Sequence, residues 1–186
     1  LFPFMIAESN FRGKIIRLGN SLDQILGKHD YPDYISDILA QLLIIVSMLG
    51  DNLKSDYMIT IQIQSDGILK LVIADYFGNG KIRGYVKWDK EEYDKVKTKS
   101  LEFADLVGKG YMAVTTSNPK TSESYQGIVE LKSQSLEDCL QEYFNNSEQT
   151  QTIFKVFAEA TNTSNKKSSK KNWVGGGIMV QKMPIK

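Results

Sequence analysis

The stretch that decides the fold is residues 59–88, ITIQIQSDGILKLVIADYFGNGKIRGYVKW. Its first residues alternate between isoleucine and polar side chains from Ile59 to Gln64, which is the period of a half-buried strand. Asp66-Gly67 and Gly78-Asn79-Gly80 are typical turn sequences. The apolar runs that follow these turns therefore predict the second and third strands of an antiparallel meander.

Two helices are predicted before this meander. Ser21 and Gln24 have the spacing of a capping box, so we expect a short helix to begin at Ser21 and to end before Tyr31-Pro32. Apolar residues then recur at helical spacing over residues 35–49 and predict a deeply buried second helix. Its most apolar part, residues 38–49, is shorter than the roughly 20 residues that cross a bilayer, so we expect no transmembrane helix.

The rest of the chain adds strands and one more helix. Further strands are expected at residues 1–6, 110–116, 125–131, 152–158 and 173–181. Ser135 is predicted to cap a helix with Cys139 on its apolar face, and residues 89–107 form a partly helical connection. Gly175-Gly176-Gly177 predicts a bulge or a close backbone approach. This order of elements indicates an α+β domain in which an antiparallel β-sheet core packs against helices.

Composition restricts the function classes. The 186 residues are 41% hydrophobic and 24% charged, as in an average globular domain. The net charge of +1 provides no overall field that would attract nucleic acid or an anionic membrane. The single cysteine, Cys139, cannot form an intramolecular disulfide or a four-thiolate zinc site, and fits a reducing, cytoplasmic environment.

Few side chains are candidates for catalysis. His29 lies at a helix end before a proline, where a structural role is more typical than a catalytic one. Cys139 on an apolar helix face favours core packing, with a redox sensor as the alternative. Gly78-Asn79-Gly80 and Gly108-Lys109-Gly110 lack the spacing of phosphate-binding loops. We therefore expect no enzymatic activity, and a hydrolase that uses His29 is the poorest hypothesis.

One basic cluster lies between the last two predicted strands, in a long polar hairpin loop. It consists of Lys166, Lys167, Lys170 and Lys171. Because no aromatic or arginine side chain is interleaved, a solvated loop is favoured over a nucleic-acid contact. A small-molecule or RNA-binding module that uses the sheet face or this loop is the alternative function.

Eight short strings resemble one protein family in their order and spacing. They are Arg17-Leu18-Gly19, His29-Asp30-Tyr31-Pro32, Ala74-Asp75-Tyr76, Arg83-Gly84-Tyr85, Gly108-Lys109-Gly110-Tyr111, Tyr125-Gln126-Gly127-Ile128-Val129, Tyr143-Phe144 with Ser147-Glu148-Gln149, and Gly176-Gly177-Ile178-Met179-Val180-Gln181. They resemble the bacterial redox-regulated heat-shock chaperones, or thirty-three-kilodalton chaperonins. We expect structural roles for the motif residues His29, Gly84, Gly110, Tyr125, Gly127, Tyr143 and Glu148.

The resemblance implies the N-terminal domain of this family, with residues 1–181 as the chaperone core and residues 182–186 as the start of a linker. It also implies a cytoplasmic homodimer that holds unfolding proteins without ATP, under redox control. Family members continue into a small C-terminal domain that binds zinc on four cysteines and carries a disulfide switch. No residue here matches those cysteines, so no cofactor is expected in this chain. Unfolded proteins, and neither nucleic acid nor membrane, are the expected partners.

A chaperone that holds unfolding proteins needs exposed apolar area and no catalytic geometry. We expect this area on a sheet face, with Tyr76, Tyr85 and Tyr111 as candidate client-binding residues. For each tyrosine the alternative is ordinary packing in the core or in a dimer interface.

Overall fold

The chain forms two antiparallel sheets and five helices in a computed structural model, which describes residues 1–132, 135–162 and 171–183. The strands are β1 (Phe2–Ile6), β2 (Phe11–Leu18), β3 (Met58–Ser65), β4 (Leu69–Phe77), β5 (Ile82–Trp88), β6 (Gly110–Asn118), β7 (Glu123–Glu130), β8 (Thr152–Asn162) and β9 (Lys171–Lys182). The helices are α1 (Asn20–Leu26), α2 (Asp33–Gly50), α3 (Lys90–Val96), α4 (Phe103–Val107) and α5 (Leu136–Asn146). The predicted α+β class is confirmed, with two sheets where one was expected.

The two sheets differ in which parts of the chain they join. Sheet A has the strand order β1-β2-β9-β8, so strands near the two ends of the chain pair with each other. Sheet B has the order β5-β4-β3-β6-β7 and contains the predicted meander at its centre and one edge. All neighbouring strands in both sheets are antiparallel.

Helix α2 lies between the two sheets and forms the centre of the core. Leu39 and Leu43 point toward sheet B, where a Cβ added at Gly84 would come within 2.8 Å of Leu39 Cδ1. Ile44 points toward sheet A, where a Cβ added at Gly175 would come within 2.6 Å of Ile44 Cδ1. The predicted close approach at this glycine is confirmed, and β9 pairs on both sides without a register shift.

The length of α2 was underestimated. The helix has 18 residues and is long and apolar enough to cross a membrane by length and composition alone. However, 72% of that window is buried inside the protein. This is the pattern of a core helix covered by sheets on two sides.

The predicted start of α1 is wrong by one residue. The helix begins at Asn20, and Gly19 is its N-cap without a side-chain cap hydrogen bond. The Gly19 carbonyl accepts hydrogen bonds from the Leu22 and Asp23 amides at 2.8 and 3.1 Å. The Asp23 carboxylate accepts a hydrogen bond from the backbone amide of Trp173, so a tertiary contact with β9 fixes the helix start.

The second strand, β2, was not predicted. Its inward positions include Lys14, which is buried although lysine is normally exposed. Lys14 Nζ donates to the carbonyl oxygen of Met48 at 2.9 Å, in the last turn of α2. A cation at this end of a helix satisfies a free carbonyl and complements the helix dipole.

The remaining helices follow the sequence closely. The Ser135 hydroxyl accepts a hydrogen bond from the Asp138 amide at 3.2 Å, which confirms the predicted cap of α5. The connection over residues 89–107 contains α3 and α4, and Asp89 caps α3 through the Glu92 amide. Of the predicted lysine cluster, Lys166, Lys167 and Lys170 lie outside the described residues, whereas Lys171 pairs with Asp33.

Candidate functional site

The outer face of sheet A, on the side away from α2, carries rows of apolar side chains. Two neighbouring rows cross all four strands: Phe2, Ile15, Ile178 and Lys155 in one, and Phe4, Gly13, Val180 and Ile153 in the next. A third row contains Arg17, Gly176 and Phe157. Residues in register across a sheet share one face, so these side chains form one continuous surface.

Two aromatic rings lie across glycines on this surface. A Cβ added at Gly13 would come within 2.2 Å of Phe4 Cζ, and one at Gly176 within 3.2 Å of Phe157 Cζ. A glycine in a strand leaves backbone uncovered, and a cross-strand aromatic ring covers it. Both glycines therefore keep the surface flat and aromatic.

Much of this outer face is open to solvent. Phe2 is 74% exposed and Phe157 is 63% exposed, and Ile6, Ile15 and Ile153 are also exposed. Large side chains grouped in this way mark a surface that binds another apolar surface. The exposed cations Arg17 and Lys155 share the face with them.

The outer face of sheet B has a different chemistry. One row crosses its five strands and is entirely polar: Arg83, Asp75, Thr60, Thr115 and Gln126. Asp75 is only 2% exposed and accepts hydrogen bonds from Arg83 Nε at 2.8 Å and from Thr60 Oγ1 at 2.6 Å. Gln126 Nε2 donates to Thr115 Oγ1 at 2.8 Å, so the row is joined by hydrogen bonds at both edges of the sheet.

The other rows of sheet B mix apolar and polar residues. The next row contains Tyr85, Ile73, Gln62, Ala113 and Ile128, so a glutamine on the central strand separates its apolar members. In the row after that, the Tyr111 hydroxyl donates to Gln64 Oε1 at 2.6 Å. Sheet B therefore exposes small groups of apolar side chains that polar residues separate.

The three tyrosines predicted to bind clients do not share one surface. Tyr85 and Tyr111 lie on the outer face of sheet B and are exposed. Tyr76 lies on its inner face, where a Cβ added at Gly50 of α2 would come within 2.2 Å of the tyrosine ring. Tyr76 is packed against the core, so the structure favours the packing alternative for this residue. Client binding by Tyr85 and Tyr111 stays a prediction.

The larger apolar surface on sheet A was missed. Ile153 and Phe157 are outward positions of β8, where they alternate with Lys155 and Glu159. Two large apolar residues at outward positions of one strand are the signal that could have found them. Phe2 and Ile15 could not be placed beside them, because their strands lie at the other end of the sequence.

Several family-motif residues have structural contacts. His29 stacks on Tyr31 with ring centroids 4.7 Å apart, and the Tyr31 hydroxyl accepts a hydrogen bond from the Val86 amide at 3.0 Å. At Gly110 an added Cβ would lie 2.1 Å from the carbonyl oxygen of Gln64 on the neighbouring strand. These contacts agree with the structural roles expected for His29 and Gly110.

The strings near residues 125 and 143 meet in space. A Cβ added at Gly127 would lie 2.5 Å from Tyr143 Cε2, so the glycine admits this ring beneath β7. The Tyr143 hydroxyl donates to Glu148 Oε1 at 2.8 Å. Burial first, and then the adjacent Glu148 carboxylate, raise the pKa of the Tyr143 hydroxyl well above its usual range. Tyr125, in contrast, is more than half exposed.

The described residues contain no group of three or more metal-ligating side chains. Cys139, the single cysteine of the sequence, is fully buried on α5. The zinc that the family resemblance implies for a longer protein needs four cysteines, and the residues of this chain do not fit such a site.

An open apolar face on the sheet of an α+β domain is typical of a surface that binds another molecule. The Hsp33 protein family model matches residues 1–186. The chain is 35% identical over 184 residues to the 33 kDa chaperonin of Escherichia coli, covering 99% of this chain and 58% of the relative. It is 30% identical over 180 residues to the 33 kDa chaperonin of Caulobacter vibrioides, covering 96% of this chain and 58% of the relative.

The fold agrees with a solved structure of the same family. The crystal structure of the 33 kDa chaperonin from Thermotoga maritima matches with a TM-score of 0.76 at 20% identity, covering 97% of this chain and 59% of the other. The chain belongs to the Hsp33 family. It spans a little over half the length of the relatives that it matches.

Proposed function

We propose that this chain is the client-binding core of a chaperone that holds unfolding proteins without ATP. Membership of the Hsp33 family and the chaperonin names of its relatives support this function. The observation that carries it is the apolar outer face of sheet A. Its exposed residues offer a flat surface to segments that an unfolding protein exposes.

The energetics suit capture rather than catalysis. Apolar contact gains about 25 cal/mol per Å² of buried surface, before the entropic cost of association. A patch of a few hundred Å² therefore supports weak binding that tolerates many different apolar client segments. Arg17, Lys155 and Glu159 lie on the same face, so its charges are mixed and do not select client segments of one sign.

The location and the assembly of the chain are proposed from its family. We propose that the core acts in the cytoplasm and forms a homodimer. Sedimentation of the purified chain at several concentrations would test the homodimer. Redox control in the longer proteins would come from several cysteines, whereas this chain has one. That cysteine, Cys139, is buried. The chain itself is proposed to bind clients independently of redox conditions.

Suppression of aggregation tests this function. We would heat a thermolabile test enzyme with equimolar chain and follow light scattering. The double variant Ile153→Ser and Phe157→Ser should lose most of the suppression, because both side chains are exposed on sheet A and neither supports the core.

A matched variant on the other sheet provides the control. Tyr85→Ser with Ile128→Ser removes two exposed apolar side chains from sheet B and should keep most of the suppression. The urea midpoint of both double variants should stay close to wild type, since surface substitutions are usually worth less than about 0.5 kcal/mol. Equal suppression by wild type and the sheet A variant would contradict the proposal.

A further inference from the structure

A cavity of about 410 Å³ lies on the inner side of sheet A, away from the client-binding face. Residues of β1, β2 and β9, of the last turn of α2, of sheet B and of α5 line it. Met5, Met48 and Met179 line it from three different elements. Its volume is that of a small-molecule site and is too small for a folded peptide segment.

One buried cation faces this cavity. Lys14 is 8% exposed and lines the wall formed by β2. Its ammonium has three donors, and it uses one on the Met48 carbonyl at 2.9 Å. The Asp51 carboxylate forms an ion pair with the ammonium at 3.7 Å, a distance longer than that of a good hydrogen bond. The ammonium therefore keeps one donor for an oxygen atom of a ligand. Burial lowers the pKa of Lys14, and the Asp51 carboxylate acts in the opposite direction.

A second cation stands beside it. Arg12 lines the same wall, and its Nε donates to Gln181 Oε1 at 3.2 Å. Within residues 1–132, 135–162 and 171–183, Arg12 forms no ion pair. The one carboxylate of the lining, Glu148, accepts a hydrogen bond from Tyr143 on the side formed by α5. Positive charge therefore gathers on the β2 wall.

The rest of the lining is apolar and adaptable. Ile59 and Val114 of sheet B contribute aliphatic walls, and the methionines can repack around ligands of different shape. We propose that this cavity binds a small amphipathic carboxylate, with its acid group at Lys14 and Arg12 and its apolar chain along the methionines. This site is separate from the client-binding surface, and its function goes beyond holding unfolded proteins.

Titration calorimetry with decanoate tests the proposal. Lys14→Met keeps an unbranched side chain, one atom shorter, and removes its charge. It should weaken binding by about tenfold or more, as expected for a lost charge-assisted hydrogen bond. Arg17→Met is the matched control on the same strand, because it removes a cation from the outer face. This control should keep the affinity of the wild type.

A methyl NMR spectrum of the wild-type protein provides a second test, which does not depend on whether the variants fold. With methionine and isoleucine methyl groups labelled, decanoate should shift the resonances of Met48, Met179 and Ile59. Ile15 and Ile153 on the outer face should not shift. Shifts confined to these outer-face methyls, or binding lost in Arg17→Met and kept in Lys14→Met, would place the anion on the client face and overturn the proposal. Absence of binding by the wild type would overturn it as well.

Discussion

The outer faces of sheets A and B differ in how their cross-strand rows are filled. On sheet A, neighbouring rows place phenylalanine and isoleucine side by side, and glycines let two rings lie flat across the strands. On sheet B, a hydrogen-bonded polar row and Gln62 divide the apolar residues. Both faces contain exposed aromatic or aliphatic residues, so the exposure of single residues does not distinguish them. Continuity across strands does, and it is the reason why we propose sheet A as the client-binding face.

The largest expected effect concerns the helix that holds both faces in place. Leu43→Ala removes a contact of α2 with sheet B, and Ile44→Ala removes one with sheet A. Both residues are fully buried, so each substitution should lower the free energy of unfolding by about 3 kcal/mol. Urea unfolding should show a similar loss for both. A loss below about 1 kcal/mol in one variant would mean that its sheet does not depend on α2.

The next largest effect is expected in the polar row of sheet B. Asp75→Ala removes the acceptor shared by Arg83 and Thr60 and should cost about 2 kcal/mol of stability, since hydrogen bonds to a buried charged group are lost. At temperatures where the variant stays folded, its suppression of aggregation should equal that of the wild type. Loss of suppression by the folded variant would show that sheet B takes part in client binding.

A smaller effect concerns the hydrogen bond between Tyr143 of α5 and Glu148 in the segment that follows this helix. Tyr143→Phe removes the hydrogen bond to Glu148 and should cost about 1 kcal/mol near neutral pH. Folding raises the pKa of Tyr143 above its usual value of 10.0, so its contribution is present below that pH and is lost as pH rises further. The difference between wild type and variant should therefore shrink above about pH 10.

Urea unfolding of both proteins between neutral and strongly alkaline pH measures this difference. Tyr111→Phe provides the control at neutral pH, because it removes an exposed hydroxyl bond from sheet B and should cost less. A difference between wild type and Tyr143→Phe that grows with rising pH would contradict the assigned direction.

The smallest expected effect is that of redox conditions. Treatment with peroxide or with dithiothreitol should leave suppression of aggregation by this chain unchanged, because Cys139 is fully buried and no second cysteine is present. Light scattering before and after treatment measures it. Activation by peroxide would indicate that Cys139 becomes accessible and controls the surface on sheet A.

Much of sheet B could be predicted because its pairing is local. Residues Ile59 to Trp88 carry clear alternation and turn sequences, and three consecutive strands follow from them. Sheet A could not be assembled in the same way. Its strands come from opposite ends of the chain, and no local sequence pattern predicts that β2 pairs with β9.

The missed strand shows the physical reason most clearly. In β2 an inward position is occupied by Lys14, which breaks the apolar alternation, and its burial is explained by a helix end more than thirty residues away. The placement of Tyr76 depends on the same kind of distant contact. Tyr76 was selected from its position in a strand, but whether it faces α2 or solvent depends on tertiary packing.

Photo-crosslinking measures the contrast between the two faces most directly. A benzophenone amino acid would replace Phe157 on sheet A or Ile128 on sheet B, two positions that are 63% and 55% exposed. The chain would then be irradiated with an unfolding test protein. We predict strong crosslinks to the client from position 157 and weak ones from position 128. Equal yields, or a higher yield from position 128, would contradict the assignment of client binding to sheet A.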